Sequence, residues 1–201
     1  MDVIEEPDIE CVSNCMAFQM HVLTTSVCSI VAAVVLLGLC DPALADAPSL
    51  QHQVEGAFIY NFTQYVEWPP QAFADGGSPF VVMVIGDDAF AKELEQIMAG
   101  KAVEKRQIVV QHCASADKIG GCQILFVPAS QNNSLKTIIE AIGTKPVLTV
   151  GESDSFMPDG GGIRLFVEDG KMKFELDPDV LEASKLRPSA KLMKLARIYH
   201  R

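Results

Sequence analysis

No lysine or arginine occurs in the chain before Lys92, and the whole sequence carries 16 basic against 26 acidic residues, a formal charge of −10. A protein so poor in cations cannot hold nucleic acid through its phosphates, because that affinity comes from Lys and Arg displacing counterions. Cysteine is also scarce where it would matter. Four of the six cysteines (Cys11, Cys15, Cys28 and Cys40) fall in the first forty residues, which excludes a disulfide-built scaffold for the remainder. The catalytic motifs that can be read by spacing are missing as well. There is no G-x-S-x-G nucleophile turn and no H-E-x-x-H zinc helix, and His52, His112 and His200 stand near element ends. Gly160-Gly161-Gly162 lacks the following Lys-Ser/Thr of a phosphate loop and precedes a strand, so a flexible turn is expected there. Asp87-Asp88 after an apolar run invites comparison with magnesium-binding receiver domains, but the third strand ends Phe126-Val-Pro-Ala-Ser130 without a phosphoryl-accepting Asp. No catalytic constellation, metal site or cofactor motif is expected, and helix capping is the role assigned to the Asp pair.

What is present begins with one long apolar run. Residues 16–40 carry no formal charge, and Ala43-Leu44-Ala45 and Ala45-Asp46-Ala47 follow with small residues at alternating positions. This is the pattern of an export signal cleaved after Ala45 or Ala47. The five acids of residues 1–15 depart from a positive n-region and point to a start at Met16 or Met20. An uncleaved membrane anchor is the alternative that the uncharged length permits. Residues 1–45 are thus read as N-terminal extension and signal peptide, and residues 46–201 as one exported domain. The cut removes six acids and leaves 20 acidic against 16 basic residues. It also leaves Cys113 and Cys122 as an isolated pair, read as one disulfide in an oxidising compartment. A metal site is the poorer reading, since two Cys with His112 do not make a four-ligand set at known spacings.

Nearly half the residues are apolar, enough for a full hydrophobic core. Val54, Phe58, Phe62 and Tyr65/Val66 recur at helical spacing until Pro69-Pro70. Phe80–Ile85 is a continuous β-branched run that reads as a strand buried on both faces. A helix over 88–99 closed by Gly100, strands at 107–112, 123–127 and 146–150, and a helix over 134–142 with Ser130 as a possible cap complete an alternating pattern. The Asp169-Gly170 turn between alternating runs predicts a hairpin with Ile163 opposite Leu176, Arg164 opposite Glu175 and Glu168 opposite Lys171. Opposite charges then pair as Arg164–Glu175 and Glu168–Lys171. Helices over 178–186 and 189–199 end the chain. The fold expected is α/β, a three-layer sandwich whose mostly parallel sheet ends in an antiparallel hairpin, with helices on both faces.

Polar and aromatic groups bunch at the end of the first helix, in Tyr60-Asn61-Phe62 and Glu67-Trp68-Pro69-Pro70. Trp68, the single Trp, is expected mainly to supply buried area. Glu67, if inside, needs a partner, and Arg164 is the candidate. The candidate binding or interface site is therefore Tyr60, Asn61, Glu67, Trp68, Arg164 and Glu175.

The blocks AFIYNFTQYVEWP at 57–69, PFVVMVIGDDAF at 79–90, GCQILFVPAS at 121–130, KPVLTVGES at 145–153, GGGIRLFVEDGKMKFELD at 160–177 and SAKLMKLARI at 189–198 closely resemble, in order and spacing, the YfiR family of periplasmic proteins. The resemblance implies a non-catalytic periplasmic repressor that holds an inner-membrane diguanylate cyclase of the YfiN type inactive. It also implies release by an OmpA-like lipoprotein of the YfiB type, with consequences for cyclic di-GMP and biofilm growth. Family members are typically dimeric and stabilised by disulfides, and with only two cysteines after the leader a second bridge known in some relatives is absent. A small-molecule receptor, with a pocket beyond the carboxyl ends of parallel strands, is the competing expectation.

Overall fold

Four runs of β-branched and apolar residues, each too short for a helix, line up as the centre of one sheet. The computed structural model describes residues 48–200, and the expected leader and its cleavage site lie outside them. α1 (Leu50–Tyr65) is followed by β1 (Val66–Glu67), β2 (Phe80–Ile85), α2 (Asp88–Met98), β3 (Ala102–Val103), β4 (Arg106–Cys113) and β5 (Ile124–Val127). Then come α3 (Leu135–Ile142), β6 (Leu148–Gly151), β7 (Ile163–Glu168), β8 (Lys171–Leu176), α4 (Pro178–Ala183), β9 (Arg187–Pro188), α5 (Ala190–Leu195) and β10 (Arg197–Ile198). The main sheet has the order β10-β8-β7-β6-β5-β2-β4-β3, and β1 pairs with β9 in a separate two-stranded ribbon. Strands β4, β2, β5, β6 and β7 run parallel; β8 is antiparallel to β7, and β3 to β4.

Every residue of β2, β5 and β6 is buried, as an apolar strand covered on both faces must be. One face packs Val82, Val84, Ile124, Phe126, Leu148 and Val150 beneath α1, α2, α4 and α5, with Ile59, Phe62, Phe90, Leu94, Leu181 and Leu192 inserted from those helices. The other face packs Met83, Ile85, Leu125 and Val127 beneath α3 and the 153–160 loop, with Ile138, Phe156 and Met157. This is the three-layer arrangement expected from the sequence. Asp87 caps α2 by accepting from the Phe90 N–H at 2.9 Å, and Gly100 follows the helix at φ 72°.

The hairpin has the expected register, with Ile163↔Leu176, Arg164↔Glu175 and Glu168↔Lys171 among its six pairs, around Asp169 and Gly170 at φ 53° and 69°. Only one of its two expected ion pairs forms. Arg164 meets Glu175 at 2.7 Å, whereas Glu168 turns from Lys171 to Lys173 and Arg197. Those two cations lie on the same face and reach the carboxylate together.

Other differences have local causes. On α1 the buried face is Glu55, Gly56, Ile59, Phe62 and Thr63, with Val54, Phe58 and Tyr65 half-buried at its flank. Residues 129–134 form a 3₁₀ turn leading into α3, so Ser130 caps nothing, and Ser134 holds the cap position without a side-chain bond. The C-terminal helices are shorter than their periodicity predicts, because Arg187–Pro188 and Arg197–Ile198 are drawn into strand pairing with β1 and β8.

The glycine triplet is packed and not a flexible turn. Gly161 and Gly162 are buried, and Phe156 fits between Gly151 and Gly161 so closely that a Cβ on either would sit within 2.3 Å of the ring. Only glycine admits the ring there. Gly161→Ala should therefore destabilise the domain by about 1–3 kcal/mol, read as a lower urea midpoint, while alanine at the open Gly121 should shift it little.

Candidate functional site

The six residues expected to form one site occupy three places. Tyr60 is half-buried on α1 with the Lys101 ammonium 4.8 Å from its ring centre, and Asn61 is exposed beside it. Glu67 and Trp68 line a groove at the amino-terminal end of the parallel strands. Arg164 and Glu175 stand on the β7–β8 hairpin, on the sheet face that carries α3. The expected Glu67–Arg164 partnership is thus corrected. Glu67 is exposed and sits opposite Arg187 in the β1–β9 ribbon, while Arg164 is bound to Glu175 and to Asp154. Alternation along β7 fixes this outcome, since Arg164 must face away from the core that Ile163 and Leu165 enter.

The Glu67/Trp68 groove has a volume of about 520 Å³ and is completed by Pro69, Pro70, Glu182, Lys185, Leu186 and Arg187. Its floor is held rigidly. The Trp68 indole N–H donates to the Gln123 carbonyl at 3.1 Å, and the ring packs edge-on against Phe80 with centroids 4.9 Å apart. The Gln123 side chain, itself buried, accepts from the Val81 N–H at 2.7 Å and donates to the Ala72 carbonyl at 2.5 Å. One carboxamide thus ties the 68–72 segment to β2 and β5, and its removal would strand a buried donor and acceptor. The groove wall comes from the 182–187 segment, pinned by the Ser189 N–H donating to the Tyr65 carbonyl at 2.8 Å. The groove therefore offers an apolar floor with a carboxylate on each side (Glu67, Glu182) and two cations (Lys185, Arg187), a mixed surface suited to a protein rim. Lys185, Leu186 and Arg187 were hidden in sequence within an apparent helix, and Gln123 was signalled only as a polar residue opening an apolar strand.

The charged face of the hairpin is a connected network. Arg164 bridges Glu175, which is 7% exposed, and the fully exposed Asp154, and its guanidinium lies 5.3 Å from the centre of the Phe166 ring. Arg197 covers the same ring at 4.6 Å. Lys173 first and Arg197 second hold the Glu168 carboxyl down at about 2.

A second opening of about 390 Å³ lies beyond the carboxyl ends of β2, β4 and β5, where the strand order reverses, bordered by Ser115, Asp117, Gln131, Asn133, Ser134 and Thr137. This is where parallel sheets bind small ligands.

Cys113 and Cys122, the pair expected to form a disulfide, are free cysteines in this structure, both buried in the core beneath α3. Burial pushes the Cys122 thiol up to about 12, with charge on Cys113 adding to the rise, and burial also holds Cys113 above its usual value. Neither is a thiolate at neutral pH. His112 is exposed, and the described residues contain no group of three or more metal-binding side chains.

Residues 52–197 match the model of the YfiR/HmsC-like family. The chain belongs to this family. YfiR/HmsC-like proteins are periplasmic regulators in cyclic di-GMP signalling, and the match takes in α1 from His52 onward, the main sheet up to Arg197, and both sides of the Trp68 groove. No curated protein matches the chain. No helix among the described residues is long and apolar enough to cross a membrane.

One titration follows from the α1 face. Glu55 is 2% exposed, and burial raises its carboxyl to about 7. Gln51 and His52 on α1 oppose the rise, while Glu152, at the end of β6, adds to it. Between the ordinary value of 4.5 and about 7 the folded chain holds a proton that the unfolded chain has lost. Stability contributed by this group is full below about 4.5 and falls as pH rises towards 7. Glu55→Gln, which cannot ionise, should flatten that slope and make the domain more stable than wild type at alkaline pH by on the order of 1–3 kcal/mol in urea titrations.

Proposed function

We propose that this YfiR/HmsC-like domain represses an inner-membrane diguanylate cyclase of the YfiN type from the periplasmic side, by binding its extracytoplasmic part and without catalysing a reaction. Family membership across residues 52–197 carries this reading. The Trp68 groove is the docking surface that suits it: an aromatic floor hydrogen-bonded to Gln123, under a rim of both charges to which the β1–β9 ribbon contributes Glu67 and Arg187. Repression by binding requires that the domain favour the inactive over the active state of the cyclase. An OmpA-like lipoprotein of the YfiB type, competing for the domain, relieves the repression and so raises cyclic di-GMP and biofilm growth. Export by the cleaved leader brings the domain to its partners, and a homodimer is its working form. In the oxidising periplasm Cys113 and Cys122 are the one pair after the leader that can be joined.

A second reading draws on the opening at the strand-order reversal, lined by hydroxyl and carboxamide side chains, which suits a small polar metabolite. A metabolite that raises the melting temperature with no protein partner present would favour that receptor role.

Deletion of the gene should raise cellular cyclic di-GMP several-fold, and wild-type protein supplied in trans should restore it. Arg187→Glu, an exposed change, should fold normally and yet fail to restore it; Trp68→Ala should fail as well, with a lower stability because its ring packs on Phe80. Unchanged cyclic di-GMP on deletion, with the cyclase present, contradicts repression. Full rescue by both variants contradicts the groove.

A further inference from the structure

β8 is paired along its whole length on one side and along only its last two residues on the other. β7 covers Lys171–Leu176, whereas β10 meets only Glu175 and Leu176, so that among the described residues no strand pairs with the outer edge of Lys171–Phe174. A groove of about 440 Å³ runs along this open edge. Phe58, Met172, Phe174 and Leu195 line it on the core side, and Phe166 and Lys173 on the other. This groove flanks the place an added strand would take, before Arg197, where β10 begins, with Leu195 and Ala196 at its border.

Unpaired edges invite strand addition, and lysines on them are a common defence against it. Lys171 and Lys173 fit that description, but their surroundings do not. Leu195 is 67% exposed and Val167 65% exposed, both at this end of the sheet, where a surface built only to repel strands would be polar. The lysines instead discriminate between occupants. A second copy pairing antiparallel across a two-fold axis must place residues of one face opposite each other, which sets Lys171 against itself or against Lys173, or Lys173 against itself. Each of these registers opposes like charges. A strand with carboxylates at those positions and apolar side chains at the alternate ones suits both faces: its acids meet Lys171 and the Lys173 ammonium, which Glu168 already holds from within the sheet, and its apolar residues enter beside Met172, Phe174 and Leu195.

We propose that the open edge of β8 accepts, as an added strand, an extended segment of a protein partner in which acidic and apolar residues alternate. β10 limits the pairing to the Lys171–Phe174 stretch, with apolar overhang resting on Phe58. This recognition is independent of the Trp68 groove and of the cyclase reading, and it holds for any partner able to present such a segment.

The probe is a blocked hexapeptide alternating glutamate and leucine, titrated into isotopically labelled protein recovered from cells. A matched peptide alternating lysine and leucine is the control. The glutamate peptide should shift and slow the exchange of backbone amides within Lys171–Phe174 and bind more tightly than the lysine peptide. Lys171→Glu/Lys173→Glu turns two cross-strand attractions into repulsions, and should weaken the glutamate peptide about tenfold and reverse the preference. Leu195→Ser, at an exposed position, should weaken both peptides with the fold intact by circular dichroism. Absence of any response at Lys171–Phe174, equal binding of the two peptides, or an unchanged preference in Lys171→Glu alone would overturn the proposal.

Discussion

The organisation of this domain follows from covering a parallel sheet on both faces only at its centre. β2, β5 and β6 carry apolar residues on both sides and receive helices on both. At the β7–β8 end the helix cover continues on one face alone, and the other face is left to side chains that can meet water. Arg164, Phe166, Glu168, Lys173, Glu175 and Arg197 fill that face with ion pairs and cation–π contacts instead of a third layer. Replacing Arg164 alone would leave the buried Glu175 carboxylate without its cation, the costly way to break such a pair.

The same constraint separates the surfaces that a partner can reach. The Trp68 groove lies at the amino-terminal ends of the parallel strands, where Gln123 ties the incoming segment to the sheet. The polar opening lies at the carboxyl ends, and the β8 edge lies at the side. A regulator that works by contact gains from such separation, since one partner can be held while another is engaged or excluded.

The parts of the fold that short-range chemistry determines were legible in the sequence. Asp169-Gly170 allows one tight turn, and once the turn is set the alternation of Ile163–Glu168 and Lys171–Leu176 leaves one register. Phe80–Ile85 could only be a buried strand. The site was less legible because its members meet through tertiary pairing. Nothing local announces that Arg187 faces Glu67 or that Gln123 carries Trp68, as each pair is more than fifty residues apart. The Glu67–Arg164 guess failed on strand parity, which was already implicit in the hairpin register. The glycine triplet was misread because composition resembles a flexible loop until the Phe156 ring is placed against it. The resemblance to the YfiR family, by contrast, was carried by blocks spread over the whole domain, and the family match confirms it.

The central claim is that the domain acts on a membrane cyclase by touch. The most direct measurement is cyclic di-GMP synthesis by membrane vesicles that contain a YfiN-type cyclase with its periplasmic part exposed, titrated with the purified protein. The account predicts saturable inhibition at constant GTP, with the added protein recovered chemically unchanged and bound to the vesicles. Synthesis that continues undiminished while the protein is saturating and bound, or inhibition that requires the protein to consume a substrate, would contradict it.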